Sequence, residues 1–214
     1  MNIAQIWRYP VKSMAGESLT RTAIGPLGLA GDRLVHVEDP KGRVLTSRRY
    51  PGLLGLHASL DPSGQPLVND RPWTDPAVLE AVQQICGPHV RLVHDDSARR
   101  FDILPLLVAT DGAIAAFGRD GRRLRPNLVI GGVNGLAERD WQGQMLRIGP
   151  VQIQIHDLRD RCVMTTFDPD TLVQDKHVLQ DIVDRFDGKL ALNCSVISGG
   201  ECGVGDGVEL AYCG

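Results

Sequence analysis

The chain is short of lysine. Of its 23 basic residues only Lys12, Lys41, Lys176 and Lys189 are lysines, the remainder being arginine. It also lacks a basic excess, with 23 basic against 26 acidic residues and a net charge of −3. That excludes the electrostatic footprint of a general nucleic-acid binder. No apolar run approaches the ~18 residues of a membrane span. The opening "MNIAQIWRYPVKS" has neither the basic start nor the apolar stretch of a secretory signal. A cytoplasmic location away from any membrane is the expectation. The five cysteines, at 86, 162, 194, 202 and 213, are odd in number and form no C-x-x-C pair. In a reducing compartment they read as thiols rather than a disulfide framework. H-E-x-x-H, G-x-S-x-G and G-x-x-x-x-G-K are absent too, and the six histidines show no ligand spacing. "GGECGVGDG" (199–207) is rich in glycine but precedes a strand. It lacks the helix N-terminus on which dinucleotide and P-loop sites hold phosphate, and reads as turns.

What is present is mostly β. Hydrophobic residues make up 43% of 214, enough for a packed interior. Alternating or apolar runs between Gly and Pro turns predict strands over 3–7, 34–39, 44–49, 53–60, 91–94 and 104–110. Further strands are expected over 127–132, 145–149, 151–156, 162–167, 193–198 and 207–210. Helices are few. "TDPAVLEAVQQICG" (74–87) has Asp75 to cap it, Pro76 at its first position and Gly87 to end it. A short helix is expected over 110–118, and another over 176–186 with Val178, Ile182, Val183 and Phe186 on one face. Many short strands with isolated helices suggest β-barrels or sandwiches. The polar "HDDSARR" (94–100) is the best candidate boundary.

Three stretches could carry chemistry. In "RDRCVMTTFDPDT" (159–171) Cys162 opens a β-like run beside Arg159 and Arg161, cations that favour the reactive thiolate. Packing is nevertheless the commoner fate of a free cysteine, and Asp160 weakens the positive surroundings. In "YPVKSMAGE" (9–17) Pro10 ends a strand, leaving Lys12 and Ser13 in a turn whose donors suit an anionic ligand. In "RRLRPNLVI" (122–130) Pro126 keeps Arg125 out of helical geometry and Asn127 starts a strand. Each of the last two is also compatible with an ordinary solvated turn.

Taken in order, "YPVKS", "GLAGDR" (28–33), "RPNLVI", "ERDW" (138–141), "RCVMTTFDPDT" and "VGDGVEL" (204–210) resemble the MOSC family. Its amidoxime-reducing enzymes are closest in layout. The resemblance implies a mainly β (α+β) fold of two interlocked β-barrel-like units with a few short helices. The units would be a MOSC N-terminal β-barrel domain (1–95) and a MOSC domain (96–214). A pyranopterin molybdenum cofactor would lie between them, and Cys162 would be the protein's ligand to the metal. Lys12, Ser13, Arg33, Arg125, Asn127 and Arg161 would hold the cofactor, with Arg48 and Asp102 further candidates and Pro105 nearby. The implied function is an oxidoreductase that reduces small N-hydroxylated compounds with electrons from a separate flavin or iron–sulfur partner. The alternative is a cofactor or sulfur carrier that uses Cys162 without turnover. This chain departs from the family pattern at Asp160, at Met14 and Ala15, and at Leu172, where a glycine is usual.

Overall fold

The computed structural model describes residues 1–211, and Cys213 lies outside the described residues. The first ten strands are β1 (Asn2–Arg8), β2 (Glu17–Leu19), β3 (Arg21–Gly25), β4 (Gly28–Leu29), β5 (Val35–Glu38), β6 (Val44–Leu45), β7 (Ala58–Leu60), β8 (Pro66–Val68), β9 (Arg71–Pro72) and β10 (Arg91–His94). The remaining seven are β11 (Leu106–Thr110), β12 (Leu128–Gly131), β13 (Met145–Ile148), β14 (Val151–Asp160), β15 (Lys189–Ser198), β16 (Gly200–Gly203) and β17 (Glu209–Ala211). Three α-helices accompany them: α1 (Pro76–Cys86), α2 (Asp111–Phe117) and α3 (His177–Phe186). The fold is mainly β, as expected. Among the described residues the ladders stay open: one eight-stranded sheet, ordered β17-β13-β14-β15-β11-β12-β1-β2, and three sheets of three strands. Neighbours in the large sheet run antiparallel except β11 and β12, which are parallel and joined through α2. No helix among the described residues is long and apolar enough to cross a membrane.

The two halves of the chain share one interior. Ile3, Ile6, Ile24 and Leu29 pack with Leu106, Val108, Leu128, Leu146 and Ile153 in a single cluster. A second cluster gathers Val11, Met14, Val35, Leu53 and Val78 beneath α1. Met14, one of the departures from the family pattern, is fully buried there. A third joins Phe117 and Leu124 to Val178, Ile182, Phe186 and Leu190.

Two of the three helices, α1 and α2, begin at side-chain caps, while α3 has none. Asp75 accepts the Ala77 N–H and Thr110 Oγ1 accepts the Ala113 N–H. Other expectations need correction. The run 44–49 is a strand only over Val44–Leu45, because the Thr46 carbonyl takes the N–H groups of Arg49 and Tyr50 in a turn. Residues 53–60 begin as a 3-10 helix, Pro51–Gly55, started by a proline at its first position, and only Ala58–Leu60 is strand. Val183 is 49% exposed, so the apolar face of α3 is Val178, Ile182 and Phe186. The glycine-rich 199–207 stretch is not all turn: Gly200–Gly203 forms β16 against β3. A Cβ on Gly199 would stand 2.5 Å from the Ile24 carbonyl oxygen, and one on Gly200 would stand 2.7 Å from the Pro150 ring. The glycines permit close approach there, which composition alone disguises as a loop.

The Cys162 stretch is also reassigned. Residues 162–167 contain no strand; Cys162 follows the end of β14 and precedes a 3-10 helix, Val163–Thr166. The reason lies in the two threonines. Thr165 Oγ1 donates to the Cys162 carbonyl at 2.8 Å and Thr166 Oγ1 to the Val163 carbonyl at 2.6 Å, closing the turn from the side chains.

Candidate functional site

One cleft is bordered by every residue singled out from the sequence as a site candidate except Pro105, which does not line it. Lys12 and Ser13 reach it from the turn after β1, Arg33 from the turn before β5, and Arg48 from the turn after β6. Asp102 comes from the segment before β11, Arg125 and Asn127 from the segment before β12, and Arg161 and Cys162 from the end of β14. The cleft encloses about 810 Å³ of atom-free space, counting its open mouth. Seven cationic side chains line it against two carboxylates, Asp102 and Asp160. Such an excess is costly without an anion to face it.

Asp102 organises the cationic rim. Its carboxylate meets Lys12 Nζ at 2.6 Å, Arg48 at 3.2 Å and Arg159 at 3.6 Å. Burial acts to raise its pKa, but Lys12, Arg48 and Arg159 outweigh burial and hold it below the usual carboxylate range. Lys12 Nζ also donates to the Arg100 carbonyl at 2.9 Å.

Two of the deeper cations, Arg125 and Arg161, lack such partners. Among the described residues no carboxylate pairs with Arg125, whose guanidinium lies 4.2 Å from the centre of the Tyr9 ring. Arg33 stacks on the same ring at 5.3 Å. Arg161 donates to the Leu124 carbonyl at 2.8 Å, but its buried Nε has no protein partner among the described residues. Burial pulls both Arg125 and Arg161 down to about 10, so both remain charged near neutrality.

Backbone strain collects at the same place. Ser13 (φ 71°), Arg33 (φ 55°) and Arg125 (φ 55°) all sit in the left-handed region, which costs non-glycine residues roughly 1–2 kcal/mol each. Such residues persist where their surroundings over-determine them, commonly at ligand sites.

Sequence reasoning missed the residue that ties these parts together. Asp32 is fully buried. It accepts the Tyr9 N–H at 2.8 Å and the Asn127 amide at 3.2 Å, and it pairs with the Arg33 guanidinium. Its place inside "GDR" was the only signal. Tyr9, Arg123, Arg159 and Asn193 were also absent from the expected set. The first three lie inside the quoted stretches, Arg159 named there only for its effect on the thiol, while nothing local marked Asn193. Asn127 itself is already engaged. Its amide donates to Asp32 and to the Trp7 carbonyl at 3.3 Å, and its oxygen accepts the Leu107 N–H at 3.1 Å. With these bonds made, Asn127 clamps the cleft wall.

Comparison with protein families agrees with this organisation. A model of the MOSC N-terminal beta barrel domain matches residues 1–96, and a model of the MOSC domain matches residues 114–209. The chain belongs to the MOSC family. The MOSC chain is similar to mitochondrial amidoxime-reducing component 1 of Homo sapiens, 25% identical over 81% of this chain and 68% of that protein. It is 27% identical to the Mus musculus protein of the same name, over the same shares of each. In structure it resembles the YUAD protein of Bacillus subtilis, with a TM-score of 0.55, 12% identity, and coverage of 99% of this chain and 96% of the other. That likeness concerns the fold alone.

Proposed function

We propose that this MOSC protein is a molybdenum-cofactor-dependent oxidoreductase that reduces N-hydroxylated small molecules with electrons from a separate donor protein. The observation that carries the reading is the cleft itself, where a lone thiol and buried, unpaired arginines face the same space. The donor set fits such a cofactor. Among the described residues no three His, Cys, Asp or Glu side chains cluster to hold a bare ion, so a metal at Cys162 would have to arrive with most of its own ligands. A dithiolene-bound metal does so, and it is soft enough to favour one thiolate. Lys12, Arg125 and Arg161 would meet the phosphate and the acceptor edges of the pterin, and Arg33 would support them.

When bound, the cofactor would supply the reduction of N–OH to N–H, with a pair of electrons and a pair of protons consumed and water leaving. The chain's own residues bind and orient. Asp102 fixes Lys12, Arg48 and Arg159, while Asp32 and Asn127 fix Arg33 and the start of β12. On this reading the seam between the 1–95 and 96–214 segments is the cofactor site, and the similarity to amidoxime-reducing components supports the substrate class.

Elemental analysis of protein made with cofactor biosynthesis intact tests the proposal. Near-stoichiometric molybdenum is expected, with loss of at least about 90% of activity in Cys162→Ala when an external donor reduces a hydroxylamine-type base. Full molybdenum occupancy with no turnover under several donors would overturn the enzymatic reading. Sulfane sulfur on Cys162 without molybdenum would favour a carrier instead.

A further inference from the structure

A second cleft lies beyond the first and shares Arg123, Arg125 and Met164 with it. Its character differs. Trp7, Tyr9, Leu54, Phe167 and Pro169 give it largely apolar, partly aromatic walls. Most of its charged groups are already paired. Glu17 holds Arg8 at 2.8 Å and accepts the Leu60 N–H at 3.0 Å. Asp170 holds Arg122 at 2.6 Å, and Arg123 is tied to Asp168 at 2.8 Å. Arg125 has neither an ion pair nor a hydrogen bond from its side chain among the described residues; its guanidinium lies over the face of Tyr9. Tyr9 is 3% exposed, and its hydroxyl also lacks a hydrogen-bond partner among the described residues. Burial, opposed first by Arg125 and then by Arg33, pushes that hydroxyl up to about 12. It is therefore a protonated donor beside a charged one.

An apolar slot with a few convergent, unsatisfied donors is the usual form of a small-molecule site. Here both unsatisfied groups are donors and one is a cation, so their complement is an anionic oxygen acceptor; the guanidinium fork matches a carboxylate best. Aromatic walls suit a flat body. We propose that this second cleft binds a planar organic carboxylate, with the carboxylate on Arg125 and the Tyr9 hydroxyl and the body between Trp7, Met164 and Phe167. Arg125 borders both clefts and carries five N–H donors, so a cofactor held in the first leaves donors for a carboxylate in the second.

Calorimetric titration of the full chain as purified, with three isosteric probes, tests the proposal. Benzoate should bind saturably, one per chain; benzamide should bind about tenfold more weakly, and benzamidine should show no saturable binding. Tyr9→Phe should weaken benzoate about fivefold, and Arg125→Gln at least about tenfold. Arg48→Gln, which borders only the first cleft, should leave benzoate affinity unchanged; melting temperatures of all variants establish that they fold. The proposal is overturned if benzamidine binds as well as benzoate, or if no probe saturates. It is equally overturned if Arg48→Gln weakens benzoate while Tyr9→Phe does not, which would put the carboxylate in the first cleft.

Discussion

Arg125 combines two unfavourable features in one residue, a left-handed backbone and a desolvated charge without a carboxylate. Together they cost on the order of a few kcal/mol, set against a cation–π contact of about 1 kcal/mol. Arg125→Gly should therefore leave the ligand-free melting temperature unchanged or raised, while lowering molybdenum retention at least about tenfold. A large destabilisation would mean that Arg125 is there to hold the fold. Asp32 is the opposite case. Asp32→Ala strands the Arg33 guanidinium and the Tyr9 N–H, and should cost roughly 3–5 kcal/mol in denaturant unfolding. Leu172 occupies a left-handed position at φ 59°, where the family's glycine would sit without strain. Its side chain lies where a Cβ on Gly55 would come within 2.9 Å, packing that accompanies the strain. None of these backbone states was legible, because serine, arginine and leucine carry no signal for positive φ.

Elements with strong local chemistry were readable in advance. The helix of residues 76–86 has a side-chain cap, a proline and a closing glycine, and it formed where those signals lie. Elements decided by packing were misread. The Cys162 turn looked like a strand because β-branched threonines are strand formers, yet their hydroxyls bond back to carbonyls. β16 looked like loop because glycine usually marks one, yet its glycines admit neighbouring backbone and a proline ring. Gly199→Ala puts a methyl against the Ile24 carbonyl and should cost roughly 1–3 kcal/mol. Hydrogen exchange should then quicken across the β3–β16 pair and leave β14–β15 protected; unchanged exchange would mean that the loop yields without strain.

At the scale of the molecule, the first strand and residues 24 and 29 complete the interior of the later half. The expected outcome is one cooperative unfolding transition, with a 96–214 fragment failing to fold alone; two separate transitions would contradict a shared core. Glu138 gives the whole a pH signature. It is fully buried, bonded to Thr110 Oγ1 at 3.2 Å, and burial raises it above the usual glutamate range. The folded state therefore keeps a proton that the unfolded chain loses above about pH 4.3. Stability from this group falls as pH rises through that window, up to its folded value. Glu138→Gln should gain on wild type as pH rises from about 4 to 7 in thermal melts; a constant difference would show that Glu138 does not titrate differently on folding. The sequence by itself determined the β-rich class, the capped helices and, through its motifs, which residues belong to one site. Only the tertiary structure decided which of them have free donors. Asn127 and Arg125 stand two apart in the chain, yet one is fully hydrogen-bonded and the other unpaired. That difference is set by Asp32, Trp7 and Leu107, which are distant in sequence and meet Asn127 only when the sheet closes around it.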